Sequence, residues 1–492
     1  MANELTPQQL QAAPSTAPGV PALELEEIQG DTLIGLQKLF ERFVFFQIKD
    51  VKAFKSALGK KLARRITSVR AVLGREFLLR DHKNQGNKDP LPNVGLNLGF
   101  TTFGIQKLVP EADLKDPSFA AGAEAQSGSL GDPLSGEVPA KWLSDFLGAK
   151  IDGVFLITGG TQAAVDSEAQ KLLGILGAAV SVVHDETGHV RPGAEKGHEH
   201  FGWLDGVSQP AINGLSTPFP GQRLMDAGHF VFGYPGQPAT PPLPWMNNGS
   251  FMVFRRLNQL VPEFAQYRLD QANSLGMDPV LLGARLVGRW KSGAPLELTP
   301  LQDDTTLGAD PLQNNNFDFS DDQAQRRCPF GAHIRKTNPR EDFAPAATQE
   351  QAVDPHRIMR AGIPFGPEVS AAEDATHKTQ QERGLMFVCY QTSIPNQFEF
   401  DQAKWANNPR FISPLIGKKR PNDPTGPDLT VGFDPIIGQN SGAARTTDEP
   451  VPNYPEGNVR STLNEPHDFI VATGGAYFFV PSISALEHEL SA

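Results

Sequence analysis

The chain has 492 residues, 39% hydrophobic and 20% charged, with a formal net charge of −12. That length exceeds one comfortable core and predicts two domains. No apolar run approaches the ~20 residues needed to cross a bilayer, and the acidic balance argues against nucleic acid or an anionic membrane as partner, because phosphate contacts need clustered Lys and Arg. The one basic cluster, Lys60, Lys61, Arg64 and Arg65, reads as the solvated face of a helix. Cys328 and Cys389 are too few for a disulfide framework and read as reduced, buried thiols.

In chain order, residues 1–22 are rich in Ala, Pro, Gln and Thr without periodicity and predict a mobile tail. They lack the basic and apolar regions of a secretory leader. Phe43–Ile48, aromatic and β-branched, predicts a strand. It leads into a helix carried by Val51, Phe54, Leu58 and Leu62. Gly153–Ile157 predicts a strand followed by a helix over 163–176. The same sequence of events recurs two hundred residues later. Phe251–Phe254 is strand-like, Leu260, Phe264 and Tyr267 carry a helical period, and Gly384–Val388 precedes a mixed helical segment. Strand then helix, used twice in the same order, suggests two copies of one α+β unit. The predicted division is a tail (1–22), an N-terminal domain (23–234), a Pro-rich linker (235–249) and a C-terminal domain (250–492). The irregular stretches 301–325 and 408–460 are long enough to suggest that they wrap a site.

Several familiar site patterns are missing from the sequence: a P-loop, a dinucleotide-binding glycine fingerprint, HExxH and paired CxxC. Three other stretches carry candidate chemistry. HEHFGWLDGVSQP sets Asp205 between glycines and beside Phe201 and Trp203; the plain alternative is an Asp capping a turn. RRCPFGAHIRKTNPR sets His333 in a short apolar stretch flanked by arginines, Arg335 among them. An imidazole for iron, apolar walls for a macrocycle and cations for propionates are what haem requires. Cys328 is a competing thiolate ligand that spacing alone leaves open. HRIMRAGIPFG places Arg360 before a rigid Gly/Pro turn.

Taken together, GWLDG, CPFGAHIRKTNPR, RIMRAGIPFG, GLMFVCYQTSI and GGAYFFVP resemble the dye-decolorising peroxidases, specifically the fungal branch. The resemblance implies two ferredoxin-like α+β domains with antiparallel sheets and a haem pocket in the C-terminal one. It implies one haem b per chain, with His333 as axial ligand to the iron, which demotes Cys328. It makes Asp205 the acid/base for hydrogen peroxide and Arg360 the stabiliser of developing charge, while Leu385 and Phe387 close the pocket. Phe365 stands where some relatives have tyrosine. The implied substrates are bulky dyes and lignin-type phenols, and secretion is expected from fungal relatives although no leader is seen here.

Three finer expectations follow. Asp401 is a candidate acceptor for the second nitrogen of His333, and Trp405 a candidate surface relay for electrons. Glu350 and Asp354 are candidate Mn(II) ligands. The rival readings are a haem-modifying enzyme and a haem carrier or sensor.

Overall fold

The computed structural model describes residues 21–86, 93–343, 346–411, 419–420, 423–428, 431–450 and 460–492. The expected tail thus lies almost wholly outside the described residues, as does part of the 408–460 stretch.

The run FERFVFFQI forms strand β1, Phe40–Ile48. Its side chains alternate between faces. On one side Phe43 and Phe45 meet Phe254, with ring centroids 5.3 and 4.9 Å apart. On the other, Phe46 meets Phe54 of helix α1, Val51–Ala57, at 5.6 Å. The Asp50 carboxylate starts α1 by accepting from Ala53 N–H. Strands β2 (Val94–Phe100) and β3 (Gly153–Gly159), helix α2 (Gln162–Leu176) and strand β4 (Val180–His189) complete a βαββαβ unit. Its strands lie in the order β2-β3-β1-β4, all antiparallel.

The second half repeats the plan. Strand β5 (Ser250–Gln259) is followed by helix α3 (Val261–Leu275), and helices α4 (Pro279–Val287) and α5 (His333–Thr337) lie in the long segment after it. Two short strands, β6 (Met359–Arg360) and β7 (Ile363–Phe365), both pair with β8 (Gly384–Gln391). A helical turn over Phe398–Ala406 leads on, and β9 (Ile470–Val480) closes the unit. β8 pairs with β5, and β5 with β9. Each half thus places its fourth strand beside its first, as a ferredoxin-like unit does, and the expected α+β class with antiparallel sheets is what is seen.

β9 pairs with β2 through Phe479 opposite Phe100, so both halves share one nine-stranded sheet. At the opposite ends β4 meets β7. A Cβ on Gly188 would sit 2.5 Å from Ile363 Cγ2 and 2.8 Å from Pro364 O. Only glycine allows that approach, and with it the sheet curls into a barrel. Arg256 on β5 spans this seam, donating to Glu186 at 2.8 and 3.0 Å and to Glu382 at 2.8 Å while lying 4.3 Å from the Phe365 ring. The GWLDG stretch and the Pro-rich segment both fall between β4 and β5. Among the described residues no helix is long and apolar enough to cross a membrane.

Candidate active site

Because strand faces alternate, Phe254 and Arg256 point into the barrel, while Arg255, Leu257 and Gln259 point out. There they line a cavity of about 300 Å³. Leu385 and Phe387 of β8 and Ile470 of β9 extend the same wall. The far side is built by segments that cover the sheet: the GWLDG turn, α5 and the loop before β6. Asp205, Arg360 and His333 all line this one cavity with Leu385 and Phe387.

Asp205 and Arg360 meet directly. Arg360 donates to Asp205 Oδ1 at 3.1 Å and to the Ser208 carbonyl at 3.0 Å. Gly206 N–H donates to the same carboxylate oxygen at 2.6 Å, and the positive φ of 73° at Gly206 is what turns the chain there. Burial alone would raise the Asp205 carboxyl. The Arg360 charge and the Gly206 hydrogen bond outweigh it and hold the carboxyl below its usual range. The side chain keeps 25% of its surface open. The turn-capping alternative is thus part of the geometry, since the Gly206 contact coexists with the cavity-facing one.

His333 opens helix α5 and is held from behind. Its Nδ1 lies 2.8 Å from Asp434 Oδ2, and Asp434 Oδ1 accepts from Ile436 and Ile437 N–H at 2.8 and 3.0 Å. Burial raises the Asp434 carboxyl, but His333 and those two amides bring it below its ordinary value. An anchored imidazole with an anionic partner leaves Nε2 for the cavity and makes it a better metal donor. Asp434 escaped sequence reasoning, and the acceptor expected in its place, Asp401, is corrected. Asp401 lines the cavity, yet its Oδ1 has no partner and burial pushes its pKa well up despite Arg357.

Three further expectations are also corrected. Arg335 does not face the cavity. It is fully buried, with Nε and Nη2 donating to Asp342 at 2.7 Å each and Nη1 to the Cys328 carbonyl at 2.6 Å. Two residues past His333 on a helix is the opposite face. Trp405 is no surface residue: it is 3% exposed, stacks on Phe411 at 5.2 Å and lines the cavity. Asp354 is buried and saturated by Arg223 and Arg357, which leaves exposed Glu350 alone; among the described residues no cluster of three His, Cys, Asp or Glu suits a metal ion. Cys328 is buried, its thiol raised by desolvation, and it is absent from the cavity wall.

Besides Arg223, Arg255, Arg357 and Arg360, each paired with a carboxylate, the cavity wall carries Arg289 and Arg340. They sit 5.5 and 3.9 Å from the Phe317 ring and donate to backbone carbonyls, Arg289 to Asn314 O and Arg340 to Phe317 O. Neither has a carboxylate within ion-pair distance among the described residues. Burial lowers their pKa values to about 9 and about 10. Buried cations without counter-charges suit an anionic ligand. Buried atoms Asn338 Oδ1, Gln439 Oε1 and Asp401 Oδ1, on cavity-lining residues, also lack protein partners. One anchored imidazole, apolar walls and unneutralised guanidiniums together fit haem.

Both halves of the chain match a known family. Residues 27–192 match the DyP dimeric alpha+beta barrel domain. Residues 240–410 match the Dyp-type peroxidase C-terminal family. The chain is 43% identical over 484 residues to a dye-decolorizing peroxidase of Exidia glandulosa, covering 96% of this chain and 88% of that one. It is 32% identical to the multifunctional dye peroxidase DyP2 of an Amycolatopsis species, covering 80% and 81% of the two chains. Among solved structures, an ancestral D-type dye decolorizing peroxidase matches with a TM-score of 0.86 at 43% identity, covering 96% of this chain and all of that one. A dye-decolorizing peroxidase in complex with 2,6-dimethoxyphenol matches with a TM-score of 0.80 at 41% identity, covering 96% and 100%.

Proposed function

Since the chain belongs to the dye-decolorising peroxidase family, we propose that His333 would hold haem b, one per chain, while Asp205 and Arg360, on the wall of the same cavity, would handle hydrogen peroxide. The protein is a haem-dependent peroxidase acting on dyes and phenols. The residue assignments rest above all on the 3.1 Å contact between Arg360 and Asp205 in a cavity that His333 also lines.

When bound, haem supplies the iron that accepts peroxide and stores the oxidising equivalents its reduction leaves behind. The Asp205 carboxylate takes the proton from one peroxide oxygen and returns it to the other, a relay worth about 10²–10⁴ in rate. Its lowered pKa keeps it ionised in mildly acidic solution, where a histidine would be protonated. Arg360, fixed by the Ser208 carbonyl and by its strand pairing with Cys389, presents positive charge to the oxygen that leaves. Leu385 and Phe387 exclude water and bulky molecules, so small reductants reach the cavity and large dyes donate from outside. Arg289 and Arg340 would neutralise the propionates.

The test is reconstitution with haem followed by one equivalent of peroxide. A prompt shift of the Soret band, reversed by a dye or 2,6-dimethoxyphenol, is the expected result. Slow bleaching favours a haem-modifying enzyme, and an unchanged band favours a carrier.

A further inference from the structure

A second cavity of about 350 Å³ lies against β9, walled largely by Phe103, Phe119, Val138, Phe146 and Ile151, with Glu137 and Lys150 also on its lining. Phe103 and Val138 are 37% and 44% exposed, so apolar surface marks its mouth. Its floor is Tyr477, itself 2% exposed. The Tyr477 ring lies 6.4 Å from that of Phe398, and Phe398 lies 6.0 Å from Phe387. Both phenylalanines line the first cavity. An unbroken file of rings thus joins the two cavities. The Tyr477 hydroxyl donates to Glu399 Oε1 at 2.8 Å, and Ser118 Oγ donates to Glu399 Oε2 at 2.6 Å. A phenol gives up an electron readily only if its proton has somewhere to go, and the carboxylate is in place to receive it.

From this geometry we infer that Tyr477 is a redox relay and that the second cavity is a docking site for small neutral phenols. The inference rests on the peroxidase reading above, which supplies the oxidant. Oxidation breaks the Tyr477 O–H bond, sends the proton to Glu399 and passes one electron through Phe398 toward the first cavity. A phenol in the second cavity then gives one electron to Tyr477, Glu399 returns its proton, and the phenol's own proton leaves to water. Two such turns supply the two electrons that reduce one peroxide.

Freeze-quenched holoenzyme, treated with one equivalent of peroxide and no reductant, tests the relay by electron paramagnetic resonance. A tyrosyl signal is expected, narrowed by ring-deuterated tyrosine and lost in Tyr477→Phe, which keeps the ring packing. Glu399→Gln, which accepts the hydrogen bond but cannot take the proton, should lose the signal as well and serves if the first variant folds poorly. Docking is read separately, from the line broadening of 4-fluorophenol in fluorine NMR. Ala125→Trp, which fills the second cavity, should abolish the broadening, and Tyr477→Phe should retain it. A signal that persists in Tyr477→Phe overturns the relay, and phenol binding untouched by Ala125→Trp overturns the docking site. A Soret band indifferent to peroxide in every form would sink the parent reading and this one together.

Discussion

The two halves follow one strand plan but treat their outer faces differently. In the N-terminal half, Phe46 and its neighbours are sealed under α1 and α2, with Phe54, Val165 and Leu172 buried against the sheet. In the C-terminal half the equivalent face carries Arg255, Leu257 and Gln259, and the covering chain stands off to leave a cavity. One face is spent on stability and the other on a ligand. The difference arises from the long segment between β5 and β6, which supplies α5, His333 and the buried arginines in place of a helix laid flat on the strands. Identical topology therefore does not assign function; what covers the sheet does.

Substitutions on the two faces should separate cleanly. The largest effect expected is on the open face: Asp205→Asn should lower kcat/KM for peroxide by about 10²–10⁴ with melting temperature nearly unchanged. Steady-state kinetics beside thermal unfolding would decide it, and a loss below tenfold would remove Asp205 as base. Phe54→Ala on the sealed face should do the reverse, costing about 3–5 kcal/mol of stability while activity per folded molecule stays constant. Denaturant unfolding measures that cost. Asp434→Asn should weaken haem binding by about 10–100-fold, read by transfer of haem to apomyoglobin, since the imidazole loses its anionic partner. Smaller still is the pH effect. The lowered Asp205 pKa keeps the base form present above it, so peroxide reduction should persist in mildly acidic solution and decline only as pH passes below the usual ~3.9 of aspartate. A pH–rate profile with its optimum above neutrality would count against this assignment. Least of all, Trp405→Phe should reduce large-dye and small-phenol oxidation in parallel, because the indole is buried against Phe411; selective loss of dye oxidation would contradict it.

Much of the frame was legible because period-two aromatic runs announce strands, as in FERFVFFQI, and because the same order of elements occurs twice. His333, Asp205 and Arg360 were found by joint resemblance of motifs, each being unremarkable alone. What escaped depends on contacts that local sequence does not encode. Asp434 lies 101 positions from His333 in an irregular stretch, and only the fold brings its carboxylate to Nδ1. Arg335 and Arg340 stand in the same motif, but helical geometry sends Arg335 to Asp342 and leaves Arg340 beside Phe317, a difference that spacing from His333 does not reveal. Trp405 misled because its neighbours Lys404 and Asn407 are polar, whereas the helical turn rolls the indole inward.

The barrel seam also has a chemical limit of its own. Elsewhere neighbouring strands are laced by backbone hydrogen bonds, but β4 and β7 meet at the close approach of Gly188 and are bridged by Arg256 of β5, which pairs with Glu186 and lies against the Phe365 ring. Burial raises the Glu186 carboxyl, and His184 and Arg256 more than reverse that, so its charge contributes stability that is present above the unfolded pKa and lost as pH falls through the lowered folded one. Strong acid should therefore unlatch the ring at this point first, with amide exchange quickening along β4 and β7 before it does along β3. Endurance in acid would thus be set at the seam rather than in the cavity.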